Sequence, residues 1–209
     1  MDALPPPALP CAMFVVLAFA IAGAAHVAWL RSPYSRRFAA PIDGGATWRG
    51  RRLFGDNKTW RGLMAMPLAA ALVFALAAQF REYLPMWLAA GIWAGSAREL
   101  AGVGFVSGLA FMLAELPNSF IKRQLDIYPG AAARHPGWRV LFLIVDRIDS
   151  TLGVLIVLNL LLPVYVMTWF WALLSGIFLH WIFSYWLFHL RLKGDTGARP
   201  STDALNASR

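Results

Sequence analysis

Two aspartates interrupt a long apolar stretch, VLFLIVDRIDSTLGVLIVLNLLL, and are the residues best suited to chemistry. Asp146 and Asp149 are three residues apart, so in a helix they share one face. Ionisable groups inside such apolar segments are costly and usually face a cavity, a partner or an ion. Two carboxylates on one face repel each other unless a cation separates them, and hard oxygen ligands suit Mg²⁺. The alternative is a salt-bridge network around Arg147 that serves only assembly.

A second polar group precedes the aspartates in the sequence AELPNSFIKR. Glu115, Ser119, Lys122 and Arg123 place a carboxylate, a hydroxyl and two cations within about two and a half helical turns. The four side chains lie on one helix only if Pro117 kinks that helix without breaking it. Taken alone, Lys122 and Arg123 would be an ordinary basic anchor beside a membrane span.

The third feature is a glycine-rich basic segment, PIDGGATWRGRRLFGDNKTWRG, at residues 41–62. Free backbone N–H groups and cationic side chains can together wrap a polyphosphate. The segment is not a P-loop, because GxxxxGK[ST] is absent. A basic loop could instead attract anionic lipid head groups. Asp43 and Asp56, together with Asn57 and Thr59, favour phosphate binding, since attraction to lipid requires no carboxylates.

The composition indicates that membrane-spanning helices must position these groups. The chain has 209 residues, of which 59% are hydrophobic and 14% charged, with a net charge of +8. So short a chain cannot bury that much apolar surface in water. Disorder is excluded by the hydrophobicity, a disulfide framework by the single cysteine, Cys11, and nucleic-acid binding by the long uncharged runs.

The uncharged runs lack the alternation of barrel strands and therefore predict an all-α integral membrane protein with about five transmembrane helices. The first helix is followed by the glycine- and arginine-rich loop. We expect one polytopic domain, residues 1–192, and a flexible cytoplasmic tail, residues 193–209. The spans are predicted near 11–30, 62–80, 100–116, 140–162 and 164–190, with cytoplasmic loops at 31–61 and 117–139.

The distribution of basic residues predicts the orientation of these spans. Of the 19 Lys and Arg residues, 16 lie in segments 31–61, 117–139 and 191–209. The positive-inside rule places all three segments in the cytoplasm, so the N-terminus is outside and the C-terminus inside. Residues 83–99 then lie at the outer face or dip into it instead of crossing. Since Met1–Pro10 has no Lys or Arg, we interpret the first run as a retained helix, not a signal peptide.

The three polar features together resemble the CTP-dependent phospholipid cytidylyltransferases, that is, the CDP-diacylglycerol synthases and the shorter CDP-archaeol synthases. That family has a Ser followed by a Lys-Arg pair and later Asp-Arg-x-Asp-Ser, which are Ser119, Lys122, Arg123 and residues 146–150 here. Its upstream Lys-Lys-Thr-x-x-Gly element corresponds to residues 57–62, with Asn57 in the first position. The form of this loop and the five-span size are similar to the archaeol branch. Glu115 stands where the family usually has Asp.

The resemblance implies transfer of a cytidylyl group from CTP to a phosphorylated membrane lipid, giving a CDP-lipid and pyrophosphate. It implies Mg²⁺ as cofactor, the cell membrane as location, and CTP, a lipid phosphate and the bilayer as partners. It does not imply nucleic acid, and a homodimer is possible. The implied metal ligands are Asp146, Asp149 and Glu115; the implied catalytic residues are Lys122, Arg123, Arg147, Asp146 and Asp149; the implied CTP and phosphate ligands are Asp43, Lys58, Thr59, Gly62 and Ser119.

Two other functions are compatible with parts of the pattern. A small ion-coupled transporter could use the aspartate pair as its ion site, and an assembly protein could dock its basic loops on lipid head groups. A transporter needs polar residues along its whole path, whereas the ionisable residues here crowd towards the predicted cytoplasmic side. That distribution favours an enzyme.

Overall fold

The computed structural model describes residues 4–189, and their side chains as far as residue 179. Short 3-10 turns occupy Pro33–Phe38 and Arg81–Tyr83. The helices are α1 (Ala8–Arg31), α2 (Trp60–Gln79), α3 (Met86–Ala89), α4 (Ala97–Gln124), α5 (Pro136–Leu161) and α6 (Val166–His189), and the two short strands are β1 (Thr47–Trp48) and β2 (Arg51–Arg52). The predicted all-α class is confirmed, since the strands form one small hairpin in the loop between α1 and α2.

Within the described part of the chain, three helices are long and apolar enough to cross a membrane: α1, α2 and α4. A shorter apolar stretch follows at Val166–Leu179. Helix α5 is long enough, but it carries Arg139, Asp146, Arg147 and Asp149. The number of five crossings therefore stays a prediction, as does the orientation of the termini.

Helix α4 is longer than the predicted span and corrects the predicted loop boundary. It begins with a capping box, in which the Ser96 hydroxyl accepts from the Glu99 N–H and the Glu99 carboxylate accepts from the Ser96 N–H. It then passes through Pro117 without ending. Residues 117–124 and 136–139, expected in a loop at 117–139, are helical. A change in charge marks where lipid contact ends, and a helix can continue beyond that point.

Small residues let α4 pack closely between α2 and α5. A Cβ atom at Gly104 would lie 2.6 Å from the carbonyl oxygen of Ala70 on α2. A Cβ atom at Gly153 on α5 would lie 2.5 Å from the Cβ of Ala114 on α4. Such close backbone approach is typical of helix packing in membranes. Because Gly153 is one turn from Asp149, this contact also sets the distance between the polar residues of α4 and α5.

The segment between α2 and α4 contains only the 3-10 turn, the four-residue helix α3 and turns, so it holds no helix long enough to cross a membrane. Trp93 anchors it, being buried with its indole Nε1 donating to the carbonyl oxygen of Pro163 at 2.9 Å. Arg81 in turn donates to the Trp93 carbonyl oxygen. Residues 97–99 belong to the first turn of α4, and the position of residues 83–99 at the outer face stays a prediction.

The chain divides into two compact units, Met1–Ile177 and Phe178–Arg209. The first contains the apolar core, in which Phe14 meets both Phe74 and Trp93 edge to face. The second is described only as the C-terminal part of α6. The predicted flexible tail, residues 193–209, lies outside the described residues.

Candidate active site

A connected series of polar contacts joins the loop before α2 to helices α4 and α5. Lys58, two residues before α2, donates to the Glu115 carboxylate on α4. The Ser150 hydroxyl on α5 lies 3.0 Å from the other oxygen of Glu115 and 3.2 Å from an Asp149 oxygen. A hydroxyl has one proton, so Ser150 donates to one of these carboxylates at a time. Three segments far apart in the sequence thus meet at Glu115.

Asn118 connects the two aspartates of α5. Its Nδ2 donates to Asp146 at 2.6 Å and to Asp149 at 3.0 Å. Lys122, one helical turn further along α4, donates to the same Asp146 oxygen that accepts from Asn118. The predicted sharing of one face by Asp146 and Asp149 therefore holds, and both carboxylates converge on a single side chain of α4.

Arg123 links the end of α4 to the glycine-rich loop. Its guanidinium Nε donates to the Phe54 carbonyl oxygen at 3.0 Å, and the residue is only 8% exposed. Gly55 has a φ of +97°, and a Cβ atom there would lie 3.0 Å from Arg123 Nε. The loop can pass this closely over Arg123 because the residue at that position is glycine. Nη1 of Arg123 is buried and has no hydrogen-bond partner.

Asp43 organises the loop itself. One carboxylate oxygen accepts from Arg52 at 2.7 Å and from the Gly45 N–H at 3.1 Å. The other accepts from the N–H groups of Phe54 at 3.0 Å and Gly55 at 3.2 Å. Burial by itself would raise the pKa of Asp43, but the hydrogen bonds from Arg52 and from the three backbone N–H groups hold it well below its ordinary value. The direct role predicted for Asp43 in substrate binding stays a prediction.

Four other predicted site residues make fewer polar contacts. Arg147 donates to the Leu143 carbonyl oxygen of its own helix at 2.6 Å. Thr59 is buried at the N-cap of α2 and pairs with Pro41 in a β-bridge. Gly62 lies in the first turn of α2, where a Cβ atom would be 3.4 Å from Nε2 of His26. Ser119 is buried directly after Asn118. Their predicted roles in catalysis and substrate binding are not tested by these contacts.

Sequence reasoning missed Asn118, which bridges the aspartates. The helical spacing of α4 would have identified it, because Glu115, Asn118 and Lys122 follow one another at intervals of three and four residues. Ser150 was recognised only as part of a motif, and its contact with Glu115 requires knowing how α4 packs against α5.

A cavity of about 380 Å³ lies between α4 and α5 and ends at the polar cluster. Its walls are apolar apart from one amide and one carboxylate, and they consist of Ala114, Pro117, Asn118, Ile121, Trp138, Leu141, Phe142, Val145 and Asp149. The ammonium of Lys122 lies 5.3 Å from the ring centre of Phe142, within reach of a cation–π contact. A ligand with an apolar body and an anionic end would match this arrangement.

Together, the fold and the site define a membrane protein with several apolar helices and a cluster of carboxylates and cations between the C-terminal part of α4 and the middle of α5. Sequence comparison identifies the family. Residues 37–195 match the sequence model of the CarS-like CDP-archaeol synthases, and the chain belongs to this family.

Individual relatives agree with this assignment. The chain is 36% identical over 103 residues to a CDP-archaeol synthase of Pyrococcus furiosus, covering 49% of this chain and 56% of that protein. It is 32% identical over 150 residues to the enzyme of Thermofilum pendens, covering 71% and 61%. It is 30% identical over 171 residues to that of Methanosphaerula palustris, covering 73% and 88%. The chain thus spans less than two thirds of the length of the first two relatives.

A solved structure supports the fold. An intramembrane enzyme of archaeal membrane lipid biosynthesis superposes with a TM-score of 0.60 at 26% identity, covering 83% of this chain and 92% of that one. The helical arrangement is therefore shared with a protein that works inside the membrane.

Proposed function

We propose that this protein transfers a cytidylyl group from CTP to the phosphate of a membrane lipid, releasing pyrophosphate and forming a CDP-activated lipid for phospholipid synthesis. Members of its family carry the name CDP-archaeol synthase, so the proposed acceptor is an archaetidic- or phosphatidic-acid-like lipid phosphate.

The observation that carries the proposal is the contact between the three sequence motifs. Lys58 from the loop motif touches Glu115, Arg123 from the α4 motif touches Phe54, and Lys122 touches Asp146. Motifs that served separate purposes would have no need to contact one another. Their meeting brings cations and carboxylates together where helices α4 and α5 approach the loop.

The charges suit the reaction. A lipid phosphate oxygen attacks the α-phosphorus of CTP, and the bond from that phosphorus to the oxygen bridging to the β-phosphate breaks, so pyrophosphate leaves with the electron pair. Both reactants are anionic, so neutralising and aligning phosphate groups provides most of the catalysis. Lys58, Lys122, Arg123 and Arg147 would contact phosphate oxygens. The loop, ordered by Asp43, would cover CTP from the cytoplasmic side.

The donor set also fits a divalent cation. Asp146 and Asp149 supply hard carboxylate oxygens that converge on one side chain within 3.0 Å. When bound there, Mg²⁺ would offset the phosphate charge and stabilise the departing pyrophosphate. Glu115 would assist from the far side of Ser150. Among the described residues, no three His, Cys, Asp or Glu side chains form a metal-binding group, so Glu115 is the weakest of the proposed ligands.

The cavity between α4 and α5 would admit the lipid from the side. The tails of a phospholipid cannot leave the bilayer, whereas CTP is found in the cytoplasm. Apolar walls ending at Asn118 and Asp149 would guide a lipid phosphate to the cluster while its tails stay among the helices. The proposed orientation in the cell membrane, with the N-terminus outside and the C-terminus inside, puts the loop on the side of CTP. A homodimer remains a prediction.

The transporter hypothesis is not supported by these comparisons. All of the relatives described above are named as enzymes of lipid synthesis.

A direct assay tests the proposal. The purified full-length protein would receive CTP, Mg²⁺ and either an ether-linked isoprenoid or an ester-linked acyl lipid phosphate, with pyrophosphate release and CDP-lipid formation measured together. We expect equal amounts of both products with at least one lipid phosphate and neither product with the matching lipid alcohol. A monodisperse preparation that forms no CDP-lipid from any phosphorylated lipid would refute the proposal. The ratio of rates for the two lipids identifies the preferred tail chemistry.

A further inference from the structure

Asn118 occupies an unusual position between the two aspartates. The residue is 7% exposed, its Nδ2 donates to both Asp146 and Asp149, and its Oδ1 is buried without a hydrogen-bond partner. Leaving a buried acceptor unpaired is energetically unfavourable. The present contacts therefore leave one end of the Asn118 amide without a partner.

The two ends of a carboxamide have nearly the same shape but opposite hydrogen-bonding character. Turning the Asn118 amide by half a rotation about Cβ–Cγ exchanges Oδ1 and Nδ2. In the turned state Oδ1 would face two carboxylate oxygens, an arrangement that is repulsive unless a cation lies among the three. The orientation of this amide is therefore coupled to the presence of a cation.

We infer that Asn118 is a metal ligand, whose Oδ1 binds a divalent cation together with Asp146 and Asp149. The inference rests on the proposed function, which places a cation at the aspartate pair. No three His, Cys, Asp or Glu side chains of the described residues form such a group, so the aspartate pair leaves coordination positions for oxygens of other types, from the protein, water or phosphate. Asn118 is the residue already in contact with both carboxylates, and a neutral amide oxygen is an accepted ligand for hard cations.

The inference also implies that the Lys122 side chain has a second position, away from Asp146. Its ammonium shares an Asp146 oxygen with Asn118, so it occupies part of the space that a cation would take. Binding of the cation would release Lys122 from Asp146 and free its charge for a phosphate. Metal binding and substrate binding would then support each other.

Direct measurement of metal binding separates this role from that of a spacer. Mn²⁺ would be titrated into the purified full-length protein without CTP, and free Mn²⁺ measured by electron paramagnetic resonance. We expect Asn118→Ala and Asn118→Leu to weaken Mn²⁺ binding roughly tenfold or more, a loss of the size found when a group around a metal is removed. Asn118→Asp, which keeps an oxygen, should bind as tightly as the wild type or more tightly. Asn159→Ala, at the other end of α5, is the matched control and should not change binding.

If Asn118 is only a spacer, its removal should change the Mn²⁺ affinity in the opposite direction. If Asn118 only holds the carboxylates apart, its removal frees their oxygens, and Mn²⁺ binding by Asn118→Ala stays equal or becomes tighter. That result would overturn the inference, as would the absence of Mn²⁺ binding by the wild type. CDP-lipid formation by the wild type, measured in parallel, distinguishes failure of this inference from failure of the proposed function. Thermal unfolding in EDTA shows whether any of the three Asn118 variants has lost its fold. If one has, the Mn²⁺ affinities of the other two test the inference.

Discussion

The glycine-rich loop and the α4–α5 cluster both hold carboxylates among hydrogen-bond donors, but the two regions satisfy them differently. In the loop, Asp43 accepts from Arg52 and from three backbone N–H groups, and its side chain is fully buried. In the cluster, Asp146 and Asp149 share the Asn118 amide; Asp146 also accepts from Lys122 and is 45% exposed, and Asp149 also accepts from the Ser150 N–H at 2.7 Å. Buried atoms without partners occur in both regions: Asn118 Oδ1, Arg123 Nη1 and Arg147 Nε on the helices of the cluster, and Arg52 Nε in the loop.

This difference separates residues that shape the site from residues that are available to a ligand. A carboxylate whose hydrogen bonds are all made by the protein is a structural element. Replacing those protein partners with a ligand would lose much of the stability that the hydrogen bonds give to the fold. Side chains that keep unused donors or acceptors in a buried place gain most from a ligand that supplies the missing partner. The cluster is therefore the place where we expect metal and phosphate to bind, and the loop is what holds Arg123 near it.

The largest expected effect is on activity when an aspartate of the cluster is neutralised. Asp149→Asn keeps the shape of the side chain but removes the charge available to a cation, so we expect CDP-lipid formation to fall by a factor on the order of 10³ or more. Thermal unfolding in detergent should change little. The matched control is Asp126→Asn, at an exposed position with a φ of +55° that asparagine tolerates. Wild-type turnover by Asp149→Asn would eliminate Asp149 as a metal ligand.

A smaller loss of activity is expected from Arg123. Its guanidinium is buried, and among the described ion pairs it has no carboxylate partner, which is costly unless an anion binds. We expect Arg123→Gln to lower kcat/KM for CTP by roughly 100-fold while leaving thermal stability unchanged or slightly higher. Arg98→Gln, at the exposed opposite end of α4, serves as the control. If Arg123→Gln instead unfolds the protein with CTP kinetics intact, the residue holds the loop and does not bind phosphate.

Much of the helical architecture and of the candidate site could be predicted from the sequence, because the relevant signals are local. Uncharged runs marked the helices, and the pair Asp146 and Asp149 could be placed on one face from its spacing alone. The end of α4 was misjudged, because the charges at Lys122 and Arg123 reveal the edge of an apolar segment and not the end of a helix. Pro117 could kink or break the helix, and the helix continues through it without a break.

The contacts of the site depend on packing that no local pattern reveals. The bridge from Asn118 to the aspartates exists because Gly153 lets α5 approach α4 closely. The family resemblance implies that Asp43 is one of the CTP and phosphate ligands. Its own partners, Arg52 and the N–H groups of Phe54 and Gly55, become visible only when the chain is folded back on itself.

The smallest expected effect concerns the order of the glycine-rich loop. It tests whether the loop itself satisfies the Asp43 carboxylate. Hydrogen exchange of the Phe54 and Gly55 amides at pH 7 should be roughly tenfold faster in Asp43→Asn, because a charge-assisted acceptor is lost. Since the pKa of Asp43 is held below its ordinary value, the stabilisation is complete above about pH 4 and is lost only as the pH falls towards the lowered pKa. After correction for intrinsic exchange rates, the difference in amide exchange rate between wild type and variant should therefore stay constant from pH 7 to about pH 4. A difference that already shrinks between pH 7 and pH 5 would mean that Asp43 titrates near or above its ordinary pKa, and that the loop leaves its carboxylate open to a ligand as the cluster does.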